Sequence, residues 1–217
     1  MVTRRVVLDE TFNPGRDIQV FLQDGFAKMC AKNSILSRVE QPWPEEAIID
    51  LLVQRSSGQF INATTVLKFV GANFCSPTKQ LELILKPDPS AFSDLDQLYT
   101  QILSVYSSTV KIVRILGIII TSKTNFPGVI EDILGMEEGE LELVSSGLSS
   151  LMDGDGCWYD QWSISNTRIP DFAHASFRDY LFDSSRSGPF HVDQQEYENQ
   201  ISIQSFALIM QSIRQSR

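Results

Sequence analysis

The most apolar stretch of the chain is "VKIVRILGIII", which runs from Val110 to Ile120. It is 11 residues long and contains Lys111 and Arg114. A helix that crosses a bilayer needs about 20 largely apolar residues. The stretch therefore predicts a helix buried in a protein core, in a chain with no membrane partner.

The segments around this helix predict a winged-helix domain. An Asp-rich helix, "SDLDQLYTQILSVYSS", precedes it, and the short helix "PGVIEDILG" follows. In "EEGELELVSSGLSSLM" the apolar residues from Leu141 to Leu151 are spaced by 3, 4 and 3, as on one helix face. "DGDGCWYDQWSISNTRIPDF" has the Gly-Asp turns and β-branched residues of a hairpin. Helices followed by a hairpin give the winged-helix order.

The first half of the chain predicts a small helical bundle. Asp17 is expected to cap a first helix, and "QPWPEEAIIDLLVQRSSG" predicts a second that stops at Gly58. A third, "QFINATTVLKFVGANF", places Phe60 and Leu67 on one face. Ahead of the bundle stands one short strand, Val6 to Leu8, whose backbone must pair with something else. The fold class predicted for the whole chain is mainly α.

Net charge is −9, and the acidic residues are concentrated. Residues 125–160 hold nine acidic side chains and no Lys or Arg, whereas the rest of the chain is neutral. A nucleic-acid contact needs Lys or Arg to neutralise phosphates. The helix that would enter a DNA groove carries Glu137, Glu138, Glu140 and Glu142 instead. Nucleic acid is therefore not an expected partner, and a basic protein partner for this acidic face stays open as one interpretation.

The sequence predicts no active site of its own. Its cysteines (Cys30, Cys75 and Cys157) form no CxxC pair, and no GxSxG, HExxH or GxxxxGK[ST] motif occurs. His191 and Asp193 lack a further ligand at metal-binding spacing. No metal is expected, and the chain is predicted not to be an enzyme. Without a signal peptide, the cytoplasm is the expected location.

One of the two histidines opens the octapeptide "HASFRDYL", His174 to Leu181. Phe177, Tyr180 and Leu181 follow it at helical spacing. From these residues alone, a lone His before an apolar stripe is usually a capping residue or a hydrogen-bonded core residue.

Four segments together suggest a family. "LDETFNPGRDIQVFLQDGF", "LLVQRSSGQFINATTVLKFV", "DLDQLYTQIL" and "HASFRDYLFDSSRSGPFHVD" resemble the part that follows the nucleotide-binding core in fungal NACHT-type STAND ATPases. These proteins are similar in plan to animal NOD-like receptors and act in signal transduction. The resemblance runs, with gaps, from about Val6 to about Asp193.

In that family a P-loop ATPase core precedes a helical domain and a winged-helix domain. The resemblance implies the following division: residues 1–16 as the remnant of the last strand of an ATPase core, 17–90 as the helical domain, 91–190 as the winged-helix domain, and 191–217 as the start of a further helical segment. The Walker motifs lie upstream in such proteins and are absent here. The chain is thus expected to be a non-catalytic fragment that partners a missing ATPase core.

The resemblance also implies site residues. His174 matches a His that contacts the β-phosphate of bound ADP and locks the closed state. Gly58 and Phe60 match a turn that packs on adenine, with Phe60 where many relatives have Pro. ADP or ATP is expected as ligand only in an intact relative, and no cofactor is expected for the chain alone.

Overall fold

The computed structural model describes residues 13–72, 75–86, 93–106, 108–121, 127–137, 140–141, 144, 148–153, 172–199 and 203. The fold is mainly α, as the sequence predicts. Within these residues, β structure is confined to one isolated antiparallel bridge between Met152 and Phe172. None of the helices in them is long and apolar enough to cross a membrane.

The helices follow one another with short connections. Their bounds are α1 Pro14–Lys32, α2 Glu46–Ser56, α3 Phe60–Gly71, α4 Pro77–Leu85, α5 Asp94–Leu103, α6 Thr109–Thr121, α7 Pro127–Leu134, α8 Ala175–Phe182 and α9 Ser184–Ser187. Short 3-10 turns lie at Leu36–Arg38, Ser149–Leu151 and Gly188–Phe190. Residues 194–199 are also helical.

Two compact units make up the chain, Met1–Leu67 and Lys68–Arg217. The expected domain boundary at Lys86–Ser90 stays a prediction, because residues 87–90 lie outside the described residues. The same holds for the expected strand at Val6 to Leu8 and for most of the expected hairpin. At the two ends of that hairpin segment, the Ala173 amide donates to the Leu151 carbonyl at 2.9 Å, next to the bridge.

In the first unit α1 packs against α2. One face of α1 buries Ile18, Leu22 and Phe26, four residues apart each time, and α2 buries Ile49 and Leu52. Burying side chains of this size contributes roughly 1.5–3 kcal/mol each, before the cost of ordering them. The unit therefore has an apolar core built from helix faces.

The start of α1 corrects the expectation from the sequence. Asp17 does not cap the helix: it lies in the first turn, and Asn13 is the N-cap, whose side chain accepts from the Arg16 amide at 3.3 Å. Pro14 takes the first helical position, where its missing N–H costs nothing. The "NPG" triplet is thus a helix start and not only a turn.

In the second unit α6 is the buried helix that its sequence predicts. Ile112, Ile115, Leu116, Ile118 and Ile120 are all buried, whereas Arg114 remains exposed. The residues around α6 include α7 and the turn Gly188–Phe190. The apolar stretch therefore forms a core helix of a globular unit.

Gly117 lies where the helical residues 194–199 approach α6. A Cβ added to Gly117 would lie 2.6–2.7 Å from three atoms of the Tyr197 ring. Carbon atoms do not approach so closely, and the ring is rigid and buried. The glycine therefore provides the space that the Tyr197 ring occupies.

We predict that Gly117→Ala destabilises the protein by about 1–3 kcal/mol, because the added methyl group overpacks the contact with Tyr197. In an open helix the same change stabilises by up to about 1 kcal/mol. Gly128→Ala in α7 is the matched control, since a Cβ there meets nothing within 4 Å. Thermal unfolding of both variants checks the prediction, and a Gly117→Ala protein as stable as Gly128→Ala would contradict it.

Candidate functional site

His174 is the N-cap of α8. Its backbone is extended, with φ −152° and ψ 140°, and its Nδ1 accepts a hydrogen bond from the Ser176 amide at 3.1 Å. One of the amides left unpaired at the helix start is thereby satisfied. The side chain as a whole is exposed. The capping role considered for a lone histidine is therefore present.

The capping bond fixes which ring nitrogen carries the proton. Nδ1 must offer a lone pair to the amide, so in the neutral imidazole the proton is on Nε2. No described residue forms a hydrogen bond with Nε2. His174 thus holds an N–H donor in a defined direction at the start of a helix.

Ser176 links His174 to the interior. The Ser176 hydroxyl lies 2.6 Å from His174 Nδ1 and 2.9 Å from the Tyr99 hydroxyl. Since Nδ1 is an acceptor, Ser176 donates to it and Tyr99 donates to Ser176. Burial raises the pKa of the Tyr99 phenol, and the hydrogen bond with Ser176 offsets part of the rise. Tyr99 therefore stays protonated and able to donate.

Aromatic rings hold α8 against α5. The Tyr99 ring centroid lies 4.9 Å from that of Phe177 and 5.3 Å from that of Tyr180. All three side chains are buried. Thr100 donates to the Asp96 carbonyl at 2.9 Å, and its hydroxyl lies 2.8 Å from that of Tyr180. The residues that follow His174 are thus fixed by packing and by hydrogen bonds.

A buried ion pair joins α5 to α9. Arg186 donates through Nε to one carboxylate oxygen of Asp96 at 3.1 Å and through an NH2 group to the other at 2.7 Å. Asp96 is 2% exposed, whereas the Arg186 side chain is 27% exposed. The two-pronged geometry is the strongest form of this interaction. It fixes α9, which follows directly after α8.

Gly58 and Phe60 lie in the first unit, in the turn between α2 and α3. Ser57 and Gly58 both have positive φ, 46° and 76°, and Gly58 adopts this conformation without steric cost. The predicted stop of α2 at this glycine is confirmed. The turn then places Phe60 at the start of α3.

Phe60 does not enter the core. It is 44% exposed and packs edge-on against Phe21, which is 37% exposed, with the ring centroids 5.6 Å apart. Val20, beside Phe21 in the chain, is 51% exposed. Phe60 thus differs from Ala63 and Val70, its buried companions on the expected helix face. Val20, Phe21 and Phe60 together are called the exposed aromatic patch below.

The structure brings some of the expected site residues together. Gly58 and Phe60 are neighbours in one turn, and His174 lies in the second unit. Their expected roles toward a nucleotide remain predictions. Among the described residues no group of three His, Cys, Asp or Glu side chains is arranged to hold a metal ion. His191, the other histidine, places its Nδ1 3.2 Å from the Leu181 carbonyl.

The sequence did not identify the residues that support His174. Asp96 and Arg186 are 90 residues apart, and Tyr99 is 77 residues from Ser176. An aspartate within the first turn of a helix is ordinary, because it complements the helix dipole. No local signal distinguishes Asp96 from Asp94.

Comparison of the chain with protein-family models, with curated proteins and with solved structures gave no match.

We predict that His174→Ala lowers the melting temperature and that His174→Asn does not. Alanine removes the cap, which costs about 1 kcal/mol, or about 2–4 °C for a chain of this size. Asparagine is among the best N-cap residues and keeps an acceptor for the Ser176 amide. Thermal unfolding measures both, and equal losses in the two variants would show that the capping bond is not what His174 contributes to stability.

We further predict that Arg186→Met destabilises the protein by about 2–4 kcal/mol, since it leaves the buried Asp96 carboxylate without its partner. Adding Asp96→Asn to that variant should recover part of the loss, because a buried amide costs less than a buried charge. Chemical denaturation of the single and the double variant tests this. A double variant less stable than Arg186→Met would contradict the explanation.

Proposed function

We propose that this chain is the regulatory helical and winged-helix segment of a NACHT-like signal-transducing ATPase, in which His174 contacts a phosphate of bound ADP. The observation that carries the proposal is the geometry of His174. Its Nδ1 is committed to the helix cap, and its Nε2–H is left as an exposed donor of fixed direction. Such a donor at a helix N-terminus suits a phosphate oxygen.

The support behind His174 makes the contact sensitive to conformation. Ser176, Tyr99 and the Asp96–Arg186 pair fix α8, so the Nε2–H cannot follow a phosphate that moves away. A hydrogen bond to a charged group contributes roughly 1.5–3 kcal/mol. Bound ADP would therefore favour the closed arrangement, and loss of the contact would shift the population toward the open one.

The exposed aromatic patch is a second support. A segment that packs on an ATPase core needs an apolar surface for that core, whereas a self-sufficient module does not. Val20, Phe21 and Phe60 supply such a surface beside the Gly58 turn. The alternative function, an interaction module that binds a basic partner through residues 125–160, does not require this surface.

The chain has no phosphate-cradling loop of its own, so chemistry would belong to the P-loop core. Its own residues would hold and release nucleotide without cleaving it. His174 would donate to the phosphate, and Gly58 would allow the backbone to turn close to the base. ADP is thus the expected ligand of the complete assembly and not of the isolated chain.

The test joins this chain to the P-loop core of a fungal NACHT protein and measures the rate of ADP release. We predict that His174→Asn, which keeps the cap and removes the Nε2 donor, accelerates release by about 10- to 150-fold. His174→Gln places an amide N–H near the position of Nε2 and should restore slow release in part.

The isolated chain provides the control for stability. His174→Asn should leave its melting temperature unchanged, so faster ADP release could not be ascribed to unfolding. If His174→Asn and the parent release ADP at the same rate, His174 is a capping residue only, and the proposed nucleotide contact is wrong.

A further inference from the structure

The first unit contains a cavity of about 420 Å³ between α1, α2 and the loop that joins them. Its volume lies in the range of small-molecule sites. The lining side chains are mostly apolar, and they include Phe26 and Ile49 from the helices and the loop segment Pro42–Pro44. Phe26 and Ile49 are almost fully buried, so this floor is part of the core and is preformed.

Trp43 forms the aromatic wall of the cavity. Its ring meets that of Phe26 edge-on, with centroids 5.5 Å apart. The Cys30 thiol donates to the Trp43 carbonyl at 3.5 Å, and the Gln41 amide donates to the carbonyls of Leu36 and Val39 at 3.1 and 3.2 Å. These bonds hold the loop and the ring in place.

Glu46 is the one charged residue among those that line the cavity. No Lys, Arg or His lines it. The Glu46 side chain is exposed at the start of α2, and no described residue forms a hydrogen bond or ion pair with its carboxylate. The lining therefore favours a positively charged group over a negatively charged one.

Cys30 does not make the cavity a covalent site. Burial raises the pKa of the Cys30 thiol, which disfavours the thiolate that a nucleophile requires. Its thiol is also engaged with the Trp43 carbonyl. The chemistry available is thus binding and not bond formation.

We propose that this cavity binds an organic cation that has an apolar body, such as a protonated arylalkylamine. The ammonium group pairs with Glu46 and lies near Trp43, the side chain that attracts cations most strongly through its ring. The apolar body fills the floor at Phe26 and Ile49. The net charge of −9 favours the approach of a cation over that of an anion.

The inference is independent of the proposed nucleotide contact. All the lining residues belong to the first unit, and neither Gly58 nor Phe60 is among them. His174 takes no part. Failure of one proposal therefore leaves the other untouched.

Three probes of nearly equal shape test the charge preference: phenethylamine, 2-phenylethanol and phenylacetate. The indole N–H signal of Trp43 in the full-length chain reports binding by NMR, and its loss in Trp43→Phe assigns it. Phenethylamine should bind most tightly and phenylacetate least. In Glu46→Gln its affinity should fall about two- to fivefold, as for an exposed ion pair, with that of 2-phenylethanol unchanged.

Glu45→Gln is the matched control. Glu45 precedes Glu46 at the same helix end and does not line the cavity, so both variants lose the same charge near the helix dipole. Glu45→Gln should leave the affinity for phenethylamine unchanged. The proposal is overturned if the three probes bind equally, if both variants weaken the amine equally, or if no probe shifts the Trp43 signal at millimolar concentration.

Discussion

The carboxylate of Asp96 imposes the strongest constraint on the second unit. A buried charge is costly unless a partner and hydrogen bonds compensate it, and Arg186 supplies both to the two carboxylate oxygens. Arg186 lies in α9, only a few residues after α8, so α8 can move little without breaking the pair. The aromatic contacts of Tyr99 with Phe177 and Tyr180 then complete the junction. The position of His174 follows from these interactions.

At His174 one side chain meets two requirements. The helix start needs an acceptor, and the Nδ1 lone pair provides it. Because that nitrogen is occupied, the proton is left on the opposite side of the ring, away from the helix. A serine or aspartate at the same position would cap the helix equally well but would leave no outward N–H. The structural role therefore does not compete with the proposed contact: it orients the donor that the contact would use.

Local patterns in the sequence predict the helices well and their surroundings poorly. The stop of α2 at Gly58 and the buried nature of α6 follow from one residue type or one periodicity. Asn13 as the cap of α1 was missed because "NPG" also fits a turn, and only the following periodicity decides between the two. Phe60 was assigned to an apolar face, yet its ring packs outside the core on Phe21. Asp96 and Arg186 could not be paired, since neither residue differs locally from its charged neighbours. The hairpin, the leading strand and the nucleotide roles remain predictions.

The contact between Gly117 and Tyr197 limits where the chain can be shortened. A protein that ended at residue 190, where the winged-helix domain is expected to end, would lack the Tyr197 ring. The strip of α6 around Gly117 would then face water beside Ile118 and Ile120, and an apolar groove of that kind invites association between molecules. A shortened protein should therefore extend beyond Tyr197 to remain monodisperse. A protease that cut between Val192 and Tyr197 would release an aggregation-prone product.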